Sequence, residues 1–89
     1  MHPVENAIRE RLAVLSPSTL ELRDESGQHA GHAGARPSGG SHWQLTIESE
    51  AFRGKSALAR HRMVYEALGD LMEREIHALR IEARAPGAV

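Results

Sequence analysis

The sequence predicts an α+β domain whose elements follow the order α-β-β-α-β. Two segments repeat apolar residues at helical spacing, three shorter segments alternate apolar with polar residues, and a glycine-rich stretch separates the first two of these strands. A chain of 89 residues can form one sheet covered by helices but not a second core. We therefore expect a single domain over residues 1–89.

The first helix is predicted from Pro3 to Leu15. Proline suits the first turn, and the following apolar residues recur at helical spacing while charged residues fill the other face. Ser16-Pro17-Ser18 ends this helix. Thr19 to Asp24 then alternates apolar with charged side chains, which is typical of a strand with one buried face.

A long loop and a second strand come next. Ser26 to Gly40 contains most of the glycine and no apolar periodicity, so we expect a mobile loop of the length that is usually functional. His42 to Ser49 alternates again, which predicts a strand that buries its apolar residues. The two strands should form a hairpin with an oversized tip.

The second half of the sequence predicts a turn, a helix and a strand. Gly54 relieves backbone strain in the turn Phe52 to Ser56, and Ser56 is a candidate N-cap for a helix from Ala57 to about Glu73. The expected apolar side of this helix consists of Leu58, His61, Val64, Tyr65, Leu68, Leu71 and Met72. The third strand is predicted from Ile76 to Arg84, with His77 at its start.

Composition narrows the class of protein. Apolar residues make up 40% and charged residues 26%, as in ordinary globular proteins, and no apolar run is long enough to cross a bilayer. The first residues lack the basic end and apolar run of a secretory signal. We expect a cytoplasmic protein without membrane association that is a monomer when alone.

Positive charge is concentrated in one segment. The net charge of −1 argues against a protein that holds nucleic acid by bulk electrostatics. Between Arg53 and Arg62, however, the chain carries four cations and no acid: Arg53, Lys55, Arg60 and Arg62. This segment predicts a local basic patch suited to phosphates or carboxylates, although a solvated face is the simpler interpretation.

The chain has six histidines and no cysteine. Soft-metal chemistry would therefore use imidazole, and any thiolate must come from another molecule. His29 and His32 lie in the loop, but two histidines are fewer than a zinc site needs, so solvated side chains are the simpler interpretation. We interpret His42 and His61 as structural, and His77 as either structural or a ligand.

Catalytic motifs are absent from the sequence. It has no nucleophile elbow, phosphate loop, cysteine nucleophile or His-Glu-x-x-His helix. One phenylalanine, one tyrosine and one tryptophan are too few for a platform that stacks bases. We therefore expect a non-enzymatic protein.

Taken in order, the motifs resemble the BolA-like protein family over nearly the whole chain. They are Asp24-Glu25-Ser26, the histidine-bearing loop, Ser41-His42-Trp43, Phe52-Arg53-Gly54-Lys55-Ser56, Arg60-His61-Arg62-Met63-Val64-Tyr65 and Ile76-His77-Ala78-Leu79. The resemblance implies a fold like a type II KH module, with a mixed three-stranded sheet covered by helices. That fold agrees with the order α-β-β-α-β.

The resemblance implies a shared metal cluster. BolA-like proteins form heterodimers with monothiol glutaredoxins that share a [2Fe-2S] cluster, with thiolates from the glutaredoxin and glutathione and imidazole from the BolA partner. The family's ligand positions match His77 and, in the loop, His29, with His32 as the alternate. The cluster is not expected in the isolated chain.

The resemblance also implies transcriptional regulation through DNA binding. A KH module clamps the nucleic-acid backbone with a Gly-x-x-Gly loop. The matching turn here has one glycine, Gly54, and depends on Arg53, Lys55, Arg60 and Arg62. Four cations would give weak, salt-sensitive binding to duplex DNA.

Overall fold

The computed structural model describes residues 3–25 and 42–87. Over these residues the order of the longer elements confirms the predicted α+β class. The elements are α1 (Pro3–Leu12), β1 (Thr19–Asp24), β2 (His42–Glu48), α2 (Ala57–Leu68), α3 (Leu71–Arg74) and β3 (Ala78–Arg84). The predicted loop Ser26 to Gly40, with His29 and His32, lies outside the described residues.

The three strands form one mixed sheet in the order β1-β2-β3. β1 pairs antiparallel with β2, which confirms the predicted hairpin, and β2 pairs parallel with β3. A parallel pair requires a long crossover, and α2 and α3 provide it. The mixed three-stranded sheet implied by the family resemblance is therefore confirmed, while the likeness to a type II KH module stays a prediction.

The core lies between the sheet and the helices, and β2 is its centre. Trp43, Leu45 and Ile47 are almost completely buried, and the residues between them are only half-buried. Burying each such side chain contributes about 1.5–3 kcal/mol, so the alternation fixes which face of the sheet meets the helices. The helices and turns contribute Val4, Ile8, Leu12, Phe52, Val64, Leu68, Leu71 and Ile76.

Both predicted helices end earlier than expected. The first stops at Leu12 and tightens into a 3-10 turn to Leu15. The second stops at Leu68 because Gly69 has a φ of +57°, which favours glycine, and a short separate helix follows. Arg11 of α1 holds this break, because its Nη1 donates to the Leu68 carbonyl (3.0 Å) and pairs with Asp70 (3.1 Å).

The side chain of Arg74 donates a hydrogen bond to Asp70 that lowers the pKa of its carboxyl group, and a hydrogen bond from Arg11 lowers it further. The ionised carboxylate at the break is therefore stabilised by cations from two helices.

Two residues of the predicted apolar side of α2 are exposed. Leu58 is 61% exposed and Tyr65 is 43% exposed. Val64 and Leu68, one helical turn apart, face the core instead. The prediction that Leu58 and Tyr65 pack inside is therefore wrong, because the buried face of α2 is narrower than its run of apolar residues.

The strand ends also differ slightly from the prediction. β2 ends at Glu48 because the buried hydroxyl of Ser49 donates to the carbonyl of Leu15 and accepts from the Ala51 amide. This caps a 3-10 turn over Glu50–Phe52. β3 begins at Ala78, two residues later than predicted, and leaves His77 just outside the strand.

The turn before α2 has the predicted form. Phe52 is fully buried, Gly54 has a φ of +77°, and the Ser56 hydroxyl accepts a hydrogen bond from the Ala59 amide at 3.1 Å. Ser56 is therefore the N-cap of α2, as predicted. Among the described residues, no helix combines the length and apolar character needed to span a membrane.

Replacing Ser56 with alanine tests this cap. Ser56→Ala removes the acceptor of the Ala59 amide, so the free energy of unfolding should fall by about 1 kcal/mol. Ser56→Asp retains a capping oxygen and should stay close to the original chain. Urea unfolding followed by circular dichroism measures both, and equal midpoints for Ser56→Ala and the original chain would contradict the assignment.

Candidate functional site

The ends of all three strands meet at one edge of the sheet. β2 and β3 run parallel with His42 opposite Ala78, so His77 lies beside His42 at the start of both strands. The antiparallel strand β1 ends at the same edge, where the Glu25 amide donates to the His42 carbonyl at 2.8 Å. We call this region, defined by Glu25, His42 and His77, the histidine edge.

Two imidazole rings are in contact there. The ring centroids of His42 and His77 are 6.1 Å apart, and the ring planes make an angle of 80°. His77 is exposed and His42 is half-buried. The sequence interpretation of His42 as structural gave no reason to associate it with His77, and the structure brings the two together.

The carboxylate at the histidine edge has a cationic neighbour. Glu25 is largely buried, with its side chain 11% exposed, and its Oε1 lies 3.5 Å from Nη1 of Arg80. Within residues 3–25 and 42–87, no group of three or more His, Cys, Asp or Glu side chains is arranged to hold a metal ion. A metal held at this edge would therefore need ligands from beyond the described residues or from another molecule.

Two other predicted ligands, His29 and His32, lie in the segment between β1 and β2. His29 and His32 belong to the segment 26–41, which lies outside the described residues. The residues on either side of that segment, Glu25 and His42, are both at the histidine edge. His61 is half-buried on α2, apart from this edge.

Two cations of the predicted basic patch are engaged within the protein. Arg53 makes two hydrogen bonds to the Glu50 carboxylate (2.7 and 2.9 Å) and one to the Pro86 carbonyl (3.0 Å). The hydrogen bond from Arg53 lowers the pKa of Glu50 and raises that of Arg53 itself. Both groups therefore stay charged, and Glu50 offsets the positive charge of Arg53.

Arg60 connects three parts of the fold. Its guanidinium donates to the Phe52 carbonyl (3.1 Å) and to the Ala83 carbonyl (3.1 Å), so α2 is tied to the preceding turn and to β3. The role of Arg60 in nucleic-acid binding stays a prediction, but its Nε and Nη1 already donate within the protein.

Lys55 and Arg62 are exposed, and in the part of the chain that the structure describes no side-chain hydrogen bond or ion pair engages either. Of the four predicted cations, these two are the most available to a ligand.

The face of the sheet opposite the helices carries both signs of charge. A shallow concavity there is lined by Arg23, Glu25, Gln44, Thr46, Arg80, Ile81 and Glu82. Mixed charge of this kind does not match the uniform negative charge of a phosphate backbone. The basic patch on the turn and α2 is therefore the better candidate for nucleic acid.

The proteins most informative for comparison all belong to one family. The model of the BolA-like protein family matches residues 12–88. The chain is 47% identical to BolA-like protein 1 of Mus musculus, covering 94% of this chain and 59% of the mouse protein. It is 36% identical to the DNA-binding transcriptional regulator BolA of Escherichia coli, covering 85% of this chain and 70% of that protein. The chain thus spans about three-fifths of the mouse relative's length.

A solved structure has the same fold. The BolA domain of SufE1 from Arabidopsis thaliana superposes with a TM-score of 0.85 at 42% sequence identity, covering 100% of this chain and 99% of that domain.

Arg60→Met tests the structural role of this arginine. The variant keeps the aliphatic stem but leaves two backbone carbonyls without their charged donor, so the free energy of unfolding should fall by about 1–3 kcal/mol. Arg62→Met, on the exposed side of the same helix, removes the same charge and should change stability by less than about 0.5 kcal/mol. Urea unfolding of the two variants compares them, and equal losses would contradict the assigned role.

Proposed function

Because the chain belongs to the family of BolA-like proteins, we propose that it is a non-enzymatic partner of a monothiol glutaredoxin and shares a [2Fe-2S] cluster with it. This partnership would act in iron-sulfur trafficking or in iron and redox regulation. The observation that carries the proposal is His77, an exposed imidazole just before β3 in a chain without cysteine. The glutaredoxin and glutathione would provide the thiolates.

The residues present fit such a group. Two histidines on one iron are an established ligand set for a [2Fe-2S] centre, and imidazole in place of thiolate raises the reduction potential. When bound, the cluster would supply one-electron chemistry and transferable iron. His77 would provide one imidazole to it, and the family resemblance implies that His29, or alternatively His32, provides the second.

The architecture of the edge supports a site completed by a partner. His77 is exposed just before β3, so another molecule can reach its ring without unfolding the sheet. The segment that carries His29 and His32 leaves and rejoins the fold at the same edge. Both proposed sources of imidazole are therefore connected to one side of the protein.

His77→Ala tests the proposal. Co-purified anaerobically with a monothiol glutaredoxin and glutathione, the original chain should give the visible absorption and circular dichroism of a mixed complex. The variant should lose that spectrum because one ligand is missing. The control variant His61→Ala removes an imidazole from α2, and its mixed complex should keep the cluster spectrum. An unchanged spectrum for His77→Ala would reject His77 as a ligand.

We propose DNA binding as a second candidate function. One supporting observation is the Escherichia coli relative, whose name is that of a DNA-binding transcriptional regulator. The other is the exposure of Lys55, in the Gly54 turn, and of Arg62, on α2. With Arg53 and Arg60 already bonded internally, few cations remain for phosphates. The contact would be weak and strongly dependent on salt.

Charge reversal tests this second function. Lys55→Glu should weaken duplex DNA binding several-fold and reduce the slope of log affinity against log salt by about one. Arg23→Glu makes the same charge change on the face of the sheet opposite the helices and should have a much smaller effect on DNA affinity. Fluorescence anisotropy at two salt concentrations measures both. Absence of binding at low salt, or equal effects of the two variants, would exclude the basic patch.

A further inference from the structure

We propose that two copies of this chain pair through β1, with the two strands antiparallel and Leu22 of one copy opposite Leu22 of the other. β1 is an outer strand of the described sheet, so one of its edges pairs with β2 and the other does not. An edge of this kind can pair with a further strand. This pairing is independent of the proposed function, and the monomer expected from the sequence is then the form at low concentration.

The backbone of Leu22 is directed away from β2. In an antiparallel pair, residues that exchange hydrogen bonds with the partner strand alternate with residues that do not. The Glu25 amide donates to the His42 carbonyl, so with this register Arg23 and Glu21 also bond to β2 and Leu22 does not. The N–H and C=O of Leu22 therefore face the outer edge of the sheet.

A contact from α1 supports the same direction. Nη1 of Arg9 donates to the Leu20 carbonyl at 3.4 Å, and Leu20 has the same parity along β1 as Leu22. Glu5 holds Arg9 through an ion pair of 3.1 Å. Among the described residues, no hydrogen bond outside the sheet ladder engages Leu22. Arg9 thus covers the edge at Leu20 and leaves a short segment centred on Leu22.

The charged side chains of β1 select a second copy of the chain as the partner. Glu21 and Arg23 are exposed on the face opposite the helices, and in the described part of the chain no hydrogen bond or ion pair engages either side chain. A two-fold axis at Leu22 places Glu21 of each copy opposite Arg23 of the other. Opposite charges across an antiparallel pair stabilise it, whereas parallel pairing in register would oppose like charges.

The other face of β1 adds an apolar contact. Leu20 and Leu22 pack against the core but stay partly exposed. Pairing at Leu22 brings the Leu22 side chains of the two copies side by side and removes apolar surface from water. Because the paired segment is short, we expect a weak, reversible dimer.

This arrangement leaves the histidine edge of each copy uncovered. β1 ends at that edge, and the two β1 strands of the dimer run in opposite directions. The two histidine edges therefore lie at opposite ends of one continuous sheet. Self-association through β1 and binding of a glutaredoxin at the histidine edge are compatible, and either can fail without the other.

Charge reversal on β1 tests the dimer. Arg23→Glu and Glu21→Arg should each weaken self-association of the full chain about tenfold, because each substitution places like charges opposite one another at both ends of the paired segment. The double variant Glu21→Arg/Arg23→Glu restores opposite charges and should associate within about threefold of the original chain. Sedimentation equilibrium at low salt, from micromolar to millimolar protein, measures the dissociation constants.

A mixture of the two single variants gives the sharper test. Arg23→Glu leaves only acids at these two positions and Glu21→Arg leaves only cations, so the mixture should form a heterodimer at least about tenfold tighter than either homodimer. A mixture of Arg80→Glu and Glu82→Arg makes the same changes on β3, at the opposite edge of the sheet. It should associate within about twofold of the original chain.

Three results would overturn the pairing through β1. They are an original chain that stays monomeric at millimolar concentration, single β1 variants that associate as well as the original chain, and a β1 mixture no tighter than its components. A gain in the β3 mixture equal to that in the β1 mixture would likewise assign the association to net charge instead. Circular dichroism confirms that each variant is folded.

Discussion

The parallel pairing of β2 with β3 is the constraint on which the rest of the structure depends. β2 is the central strand, and its Trp43, Leu45 and Ile47 form the floor of the core. Pairing β3 in parallel requires a crossover, and the crossover places α2 over those buried residues. The same pairing aligns the starts of both strands, so His42 and His77 become neighbours. One register therefore determines both the packing of the helices and the position of the candidate site.

Local patterns in the sequence predicted most of the fold. The alternation from Thr19 to Asp24 predicted β1 with its observed bounds, and Ser56 was identified as the cap of α2. Patterns of this kind are local, because they reflect the period of one element and the hydrogen bonds of a few neighbouring residues. The break after Leu68 was missed although Gly69 is itself a local signal for a helix end. The hydrogen bond that stabilises the break comes from Arg11, which is distant in the chain but adjacent in space. The exposure of Leu58 and Tyr65 likewise depends on how much of α2 the sheet can cover.

The contact between His42 and His77 was not predicted for the same reason. His77 was identified through the family resemblance, whereas His42 was interpreted as structural. Strand order and direction cannot be obtained from alternation alone, so nothing in the sequence associated residues 42 and 77. The arginines show a similar limit. A run of four cations predicted a basic patch, but Arg53 and Arg60 donate to groups contributed by Glu50, Phe52, Ala83 and Pro86. Their role in holding the turn, α2 and the end of β3 together is visible only in three dimensions.

The Glu25 amide donates a hydrogen bond to the His42 carbonyl, which ties the end of β1 to the start of β2. It closes the hairpin where the segment 26–41 begins and ends, and the three described strands pair with one another on the sheet side of this bond. The entropic cost of a longer connection grows only slowly with its length. Changes in the length of this connection therefore add little to the entropic cost of closing the hairpin. The histidine edge thus joins two strand starts whose positions are fixed by their register to the ends of a connection whose length can vary at little entropic cost.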